Sequence, residues 1–329
     1  MPLRVFSILI TRLMAMKTSN VPTIDLEAAA ADPSQLQLLD LACRDHGFFL
    51  LKNHGIQKII NEMWSCSEWF FSQSRENKLS IKRTETIPLG YYDRELTKQK
   101  RDLKEVFDYM QPKPDGEDLN QWPEHEYFRQ VMEEFFKRSS EVAEKTLELV
   151  FCALRNQMTE LPLGDSRTSN VRLNYYPTSD PLDLKDQSTV SQLGNMALHH
   201  HTDPGILTLL LQDMTGGLQT KSRESGWIDV QPEEDTIVVN LGDAMQVWTN
   251  DQYVAAIHRV LQRTNDPRYS TPYFYNPKRD AVLKPIKGLS DDGDLYRSFT
   301  WKEYIQGRID DNYADLGEDD IQIERFRIS

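Results

Sequence analysis

The spacing of apolar positions divides the chain into two regions with different periods. In the first half, apolar side chains recur every three or four residues, as in amphipathic helices. From Val171 the period changes to that of short strands, separated by Gly, Asn, Asp and Pro. The predicted strands are Val171–Tyr176, Ile206–Gln212, Gly217–Thr220, Trp227–Val230, Thr236–Leu241, Met245–Thr249, His258–Arg263 and Ser270–Tyr275. Such a succession of short strands is typical of a jelly roll.

Capping residues and apolar stripes predict the helices. Asp32 is a suitable N-cap with Pro33 at the first helical position, and Gly47 ends that helix. The other predicted helices cover Gln57–Ser72, a long scaffold helix from about Glu126 to Thr159, and a helix that begins at the capping box Thr300–Glu303. Residues 84–116 show no strong period, so we expect loops and a hairpin there.

These periods predict an α+β chain in four parts. The apolar run Val5–Ile10 is too short to span a bilayer. Residues 1–20 are therefore expected to extend outside the fold, with Met14 or Met16 as the natural start. Residues 21–165 form an N-terminal helical region and residues 166–280 the jelly-roll domain. Residues 281–329 form a C-terminal helix and tail that pack on this core.

Composition narrows the class of protein. The chain has 329 residues, of which 39% are hydrophobic and 27% charged, as in an ordinary globular enzyme. Its formal net charge of −13 disfavours binding to nucleic acids and to anionic membranes, which require clustered Lys and Arg. Three cysteines without close spacing give no disulfide framework and fit a reducing cytoplasm. No obligate protein partner is evident.

Two histidines and one aspartate suggest a metal site. His201 and Asp203 are two positions apart at a predicted strand end, so they lie on one face and can reach the same ion. His258 lies in a later alternating segment. Two histidines and a carboxylate form the facial triad that suits non-haem Fe(II) and O2 chemistry.

A second pair of residues suggests a carboxylate site. Arg268 and Ser270 are also two apart on a predicted strand. An arginine binds a carboxylate through two parallel N–H···O hydrogen bonds, and a serine on the same face can add a third.

Together these motifs resemble the signature of the 2-oxoglutarate- and Fe(II)-dependent dioxygenases, in the branch related to isopenicillin N synthase. Two further stretches are similar to that branch, namely Asn174–Pro177 and the segment from Gly47 to Ile56. The similarity extends roughly from Val21 to Ile328.

The resemblance implies a double-stranded β-helix, or jelly roll, that binds Fe(II) through His201, Asp203 and His258. It also implies 2-oxoglutarate as cosubstrate, bound by Arg268 and Ser270 with contacts from Asn174 and Tyr176. With O2, such an enzyme oxidises a small organic molecule and releases succinate and CO2. Because Asp203 occupies a position where halogenating relatives have a small residue, hydroxylation is expected rather than halogenation.

Two other functions remain open at this point. One is an oxidase of the same fold that does not use 2-oxoglutarate, and the other is a non-enzymatic binding protein on a jelly-roll scaffold. The role of Arg172 is open, and Tyr91 and Tyr92 fit a substrate wall as well as core packing. His199 is expected at a solvated strand end. Structural roles are expected for His46, His54 and His125.

Overall fold

Two sheets form the centre of the fold in the computed structural model, which describes residues 21–84, 86–97, 100–112, 118–154, 164–193, 196–262, 265–289, 293–314 and 322–328. The strands are β1 Thr23–Asp25, β2 Phe48–Lys52, β3 Gly90–Tyr92, β4 Leu96–Thr97, β5 Lys100–Arg101, β6 Glu105–Met110, β7 Asn170–Tyr176, β8 Leu198–His201, β9 Leu207–Gln212, β10 Leu218–Ser222, β11 Gly226–Asp229, β12 Ile237–Leu241, β13 His258–Val260, β14 Arg268–Tyr275, β15 Val282–Leu283 and β16 Phe299–Thr300. The α-helices are α1 Pro33–Asp45, α2 Gln57–Ser72, α3 Arg75–Leu79, α4 Glu126–Ala153, α5 Leu184–Gln187, α6 Asp243–Trp248 and α7 Trp301–Ala314. Short 3-10 helices cover Ala29–Ala31 and Ile323–Phe326.

The strands from β7 to β14 are shared between the two sheets. The larger sheet has the order β1-β2-β12-β9-β14-β7-β6-β3, and the smaller sheet has the order β11-β10-β13-β8. The chain passes back and forth between the two sheets, which enclose a common interior, as in a jelly roll. The N-terminal part of the chain adds strands at both edges of the larger sheet.

Strand β9 shows how the sequence pattern produces this architecture. Leu207, Leu209 and Leu211 belong to the large apolar cluster that includes residues of α2 and α4. Leu210, on the opposite face of the strand, belongs to a second cluster formed by both sheets. The strand is therefore buried on both sides, as its continuous apolar run favours.

Helix ends agree well with the capping residues. The side chain of Asp32 accepts a hydrogen bond from the Ser34 amide, and Pro33 is the first residue of α1. The Glu303 amide donates to Thr300 Oγ1 at 3.2 Å at the start of α7. The predicted hairpin within residues 84–116 is the β4–β5 pair.

One predicted strand is wrong. Residues Met245–Thr249 do not form a strand, because Asp243–Trp248 is helix α6. Ala244, Met245, Val247 and Trp248 are all buried, so their apolar pattern does not distinguish a strand from a buried helix. The helix begins where the Asp243 amide donates to the carbonyl of Asp203 at 2.8 Å.

Some predictions fall on residues that are not described. The predicted end of the long helix at Thr159 and the proposed extension of residues 1–20 lie outside the described residues. The division at residues 165 and 280 stays a prediction. Within the described part of the chain, no helix is both long and apolar enough to cross a bilayer.

We predict that Gly47→Ala lowers the free energy of unfolding by about 2–5 kcal/mol, the sum of left-handed strain and a steric clash. Gly47 has φ +66°, and a Cβ there would lie 2.4 Å from the carbonyl oxygen of Val254. Gly55 has φ +74° with nothing within 4 Å of such a Cβ, so Gly55→Ala is the matched control that carries the strain alone. Urea denaturation measures both, and equal losses would contradict the role assigned to the close contact.

Candidate metal centre and cosubstrate pocket

His201 and His258 face each other across two neighbouring strands of the smaller sheet. His201 ends β8, His258 begins β13, and the two residues are direct partners in the antiparallel register. Their ring centroids are 4.3 Å apart. Asp203 follows His201 by two residues, which brings its carboxylate to the same end of the sheet. Ligand atoms of these three residues all lie within 4.8 Å of one another.

Hydrogen bonds fix which nitrogen of each histidine faces the centre. Nδ1 of His201 lies 2.9 Å from the carbonyl oxygen of His199, and Nδ1 of His258 lies 3.0 Å from that of Ala256. Since a carbonyl only accepts, Nδ1 carries the proton and Nε2 keeps a free lone pair in each neutral ring. The Nε2 atoms of His201 and His258 lie 3.7 and 4.0 Å from Asp203 Oδ1.

Electrostatics keep the first histidine in the form that binds metals. Burial lowers the pKa of His201 well below its usual value, and the facing ring of His258 lowers it further. A neutral imidazole is the form that coordinates a metal ion. The buried donor set of two imidazoles and one carboxylate therefore fits a divalent metal ion.

The other carboxylate oxygen of Asp203 is held by two strands of the larger sheet. Thr208 Oγ1 donates to Oδ2 at 2.6 Å, and Asn240 Nδ2 donates to the same atom at 2.8 Å. These two bonds orient the carboxylate so that Oδ1 faces the histidines. The sequence places Asn240 in a predicted strand without indicating this contact, and no sequence signal indicates Thr208.

Helix α7 holds the loop between His201 and Asp203. Arg308 donates through Nη2 to the carbonyl of Thr202 at 2.9 Å and through Nη1 to Asp243 Oδ2 at 2.8 Å. Tyr304 donates to the same Asp243 oxygen at 2.5 Å. The C-terminal helix thus contacts the backbone between His201 and Asp203. No pattern in the sequence indicates this contact, because it joins residues 106 positions apart.

The four residues predicted to bind a cosubstrate lie on adjacent strands of the larger sheet. In the register of β14 and β7, Arg268 is the partner of Tyr176, and Ser270 is the partner of Asn174. All four side chains line the same cavity as the metal triad, and Phe274 lines it as well.

Arg268 is poised to receive an anion. The residue is 2% exposed. Its Nε donates to the carbonyl of Gly216 at 3.0 Å, and Nη2 donates to Gln212 Oε1 at 3.4 Å. Nη1 is buried and has no hydrogen-bond partner among the described residues. A buried guanidinium nitrogen without an acceptor is costly, so this cavity fits a ligand that brings a carboxylate.

His199 differs from expectation, and Arg172, whose role was open, makes a structural contact. His199 is not at a solvated strand end, because its side chain is largely buried with Nδ1 3.8 Å from Asp102 Oδ1. Arg172 has a structural role, since its guanidinium binds both carboxylate oxygens of Asp108 at 2.7 and 2.8 Å. Lys104 also lines the cavity, and no motif in the sequence indicated it.

Three further histidines hold turns and a helix end. Nδ1 of His46 and of His54 accepts a backbone N–H two residues later, at 3.1 and 3.3 Å. Nδ1 of His125 accepts from the amide of Phe128 at 3.0 Å and so caps α4. Their structural roles are confirmed.

Comparison with known proteins gives consistent matches over most of the chain. The family model of the 2OG-Fe(II) oxygenase superfamily matches residues 167–277. The model of the non-haem dioxygenase in morphine synthesis N-terminal region matches residues 21–125. Protein DOWNY MILDEW RESISTANCE 6 of Arabidopsis thaliana is 32% identical over 298 residues, which cover 87% of this chain and 83% of that protein.

Solved structures agree with these sequence matches. A full-length Neurospora crassa protein, solved in complex with alpha-KG and thymine, is 25% identical, with a TM-score of 0.74 over 91% of this chain and 98% of that one. JOX2 in complex with 2OG, Fe and JA is 26% identical, with a TM-score of 0.73 over 87% of this chain and 84% of that one.

The jelly roll and its triad of two histidines and one carboxylate define a non-haem iron oxygenase. The sequence matches specify which kind: the chain belongs to the 2OG-Fe(II) oxygenase superfamily. It is a dioxygenase that depends on Fe(II) and 2-oxoglutarate and acts on a small molecule. The finer placement in the isopenicillin N synthase branch stays a prediction.

We predict that Thr208→Val lowers the affinity for a divalent metal about 10–100-fold, the range seen when a hydrogen bond that orients a metal ligand is lost. Valine keeps the shape of threonine but cannot donate to Asp203 Oδ2. Thr271→Val is the matched control, because Thr271 is equally buried and its hydroxyl lies 3.5 Å from Met63 Sδ. Anaerobic titration with Fe(II) or Co(II) measures the affinity, and equal affinities in both variants would refute the orienting role.

Proposed function

We propose that this chain hydroxylates a small organic molecule, with His201, Asp203 and His258 as the ligands of Fe(II). The donor set carries this proposal. The Nε2 atoms of both histidines and Oδ1 of Asp203 lie close together. The other polar atoms of these side chains, Nδ1 of each ring and Oδ2 of the carboxylate, take part in the hydrogen bonds described above. Three protein ligands leave open positions on the metal for cosubstrate and O2.

In this proposal, Arg268 binds the distal carboxylate of 2-oxoglutarate, and Ser270 adds a hydrogen bond. The unpartnered Nη1 of Arg268 supports this role, as does the position of both side chains in the cavity that contains the triad. Asn174 and Tyr176 contact the cosubstrate from the neighbouring strand. The ring of Tyr176 lies 5.1 Å from the Arg268 guanidinium and limits its movement.

Bound Fe(II) would supply the activation of O2, whose reduction draws two electrons from the oxidative decarboxylation of 2-oxoglutarate to succinate and CO2 and two from the substrate. The protein contributes position and a dry environment. Thr208 and Asn240 keep the Asp203 carboxylate in one orientation, and the backbone carbonyls behind the histidines keep Nε2 unprotonated. Leu198, Leu210 and Leu218 line the same cavity and limit the entry of water.

Asp203 also bears on the reaction outcome. Its carboxylate occupies the position that a halide would need on the metal, and it is held there by two hydrogen bonds. We therefore propose that oxygen, rather than a halogen, is transferred to the substrate.

We predict that His258→Ala abolishes tight Fe(II) binding and succinate formation, because one histidine and one carboxylate hold a labile ion poorly. His200→Ala is the control. His200 is exposed and directly precedes the proposed ligand His201, so its loss should leave Fe(II) affinity close to that of the wild type. Fe(II) content after gel filtration and succinate release report the result. Full affinity in His258→Ala would show that the ligands are misassigned.

We predict that Arg268→Lys raises the apparent KM for 2-oxoglutarate about a hundredfold, which corresponds to the loss of about 2–3 kcal/mol from a charged hydrogen-bonded pair. Arg259→Lys is the matched control, because Arg259 lies over the Trp227 ring on the opposite face of β13 from His258. Its KM should not change. An unchanged KM in Arg268→Lys would show that Arg268 does not bind the cosubstrate carboxylate.

A further inference from the structure

The wall of the cavity nearest β6 and β7 carries two cations that the cosubstrate does not require. Lys104 directly precedes β6, and Arg172 lies on β7. Both line the cavity of the metal triad. Apart from Asp203, no carboxylate side chain among the described residues lines this cavity. The charged surface that faces a ligand here is therefore cationic.

Carboxylates behind this wall hold the two cations in place. Lys104 Nζ lies 3.2 Å from Asp102 Oδ2 and 4.0 Å from Glu95 Oε2. Burial alone would lower the pKa of Lys104, but Asp102 and then Glu95 outweigh it and raise the pKa, so the ammonium stays charged. Arg172 Nη1 lies 3.2 Å from the same Glu95 oxygen.

The two cations differ in their capacity to bind a ligand. The guanidinium of Arg172 already makes a bidentate pair with Asp108 and a third contact with Glu95. An ammonium has three N–H donors, and the two carboxylates take up at most two of those of Lys104. Lys104 is 4% exposed and lines the cavity, so its third donor is available to a ligand there.

This donor is separate from the proposed site of the cosubstrate carboxylate. Strand β7 lies between β6 and β14 in the larger sheet. Neighbouring strands are about 4.8 Å apart, so the backbone next to Lys104 lies about 10 Å from that of Arg268. An anion bound by Lys104 is therefore held beside a different strand from the carboxylate bound by Arg268. A purely apolar ligand would remove water from this ammonium without replacing its hydrogen bond, which is unfavourable.

We propose that the substrate of this enzyme carries a carboxylate and that Lys104 binds it. This inference rests on the proposed function, since the group that Lys104 binds must belong to the molecule oxidised at the metal. In this role Lys104 determines specificity, and Arg172 fixes the wall beside it through Asp108 and Glu95.

The first test varies the ligand and leaves the protein intact. The Fe(II)-loaded wild-type enzyme is given 2-oxoglutarate, O2 and pairs of small molecules that differ in charge: benzoate and benzamide, phenylacetate and phenylacetamide, hexanoate and hexanamide, and N-acetyl amino acids with their amides. Thymine, which is bound in the solved Neurospora crassa complex, is included as a neutral probe. Binding is followed calorimetrically without O2, and turnover as succinate above the background without probe.

We expect the acids to bind and to be turned over at least about tenfold better than their amides, because only the acids pair with the ammonium. With the best acid, Lys104→Met should raise KM about thirtyfold or more through loss of the charged hydrogen bond. Lys104→Arg, which keeps the charge, should recover part of this loss. Lys100→Met is the matched control, since Lys100 is exposed on the preceding strand β5, which belongs to a separate sheet, and should leave KM unchanged.

Three results would overturn the inference: amides or thymine used as well as the acids, no acid in the set bound or turned over, or an unchanged KM for the acid in Lys104→Met. If Lys104→Met does not fold, as judged by its thermal transition, Lys104→Arg and the ligand pairs still decide the question. Failure of the proposed function is recognised separately, because a wild-type protein that binds neither Fe(II) nor 2-oxoglutarate would fail before any probe is added.

Discussion

The site depends on a single buried carboxylate, that of Asp203. A charged carboxylate is costly to bury unless it is fully hydrogen-bonded or bound to a cation. Thr208 and Asn240 satisfy one oxygen, and their strands belong to the larger sheet, whereas both histidines belong to the smaller one. The proposed metal site thus joins the two sheets, and its geometry is correct only when both sheets are packed in register.

The ends of the chain reinforce the same point of the fold. Strand β2 pairs with β12, which carries Asn240. At the other end, Arg308 of α7 bonds the Thr202 carbonyl between two of the proposed ligands. Elements that lie outside the jelly roll therefore restrict the loop that carries His201 and Asp203. A metal site needs its ligands held within a narrow geometry, and such supporting contacts provide it.

The sequence predicted the parts of this site that have a local signature. His201 and Asp203 are two positions apart, as are Arg268 and Ser270, and strand geometry makes each pair share a face. Thr208, Asn240, Arg308 and Lys104 have no such signature. Asn240 and Arg308 contact partners distant in sequence. Thr208 lies on β9 and Lys104 directly precedes β6, both strands of the larger sheet, whereas the histidines belong to the smaller one. These roles therefore become visible only when the strands and helices are assembled. The strand predicted at Met245–Thr249 failed for a related reason, since every apolar residue there is buried by tertiary packing.

The pocket carries buried cationic side chains, although the net charge of the whole protein is negative. The net charge of −13 would repel an anion at long range, yet both 2-oxoglutarate and a carboxylate substrate are anions. At physiological ionic strength, charges more than about 8 Å apart at the surface are largely screened. Inside the cavity, Arg268 and Lys104 are buried and act over short distances with little screening. This protein must therefore recognise anions by close contact in the cavity. The sheet and the carboxylates that pair with Lys104 hold the binding side chains in position there.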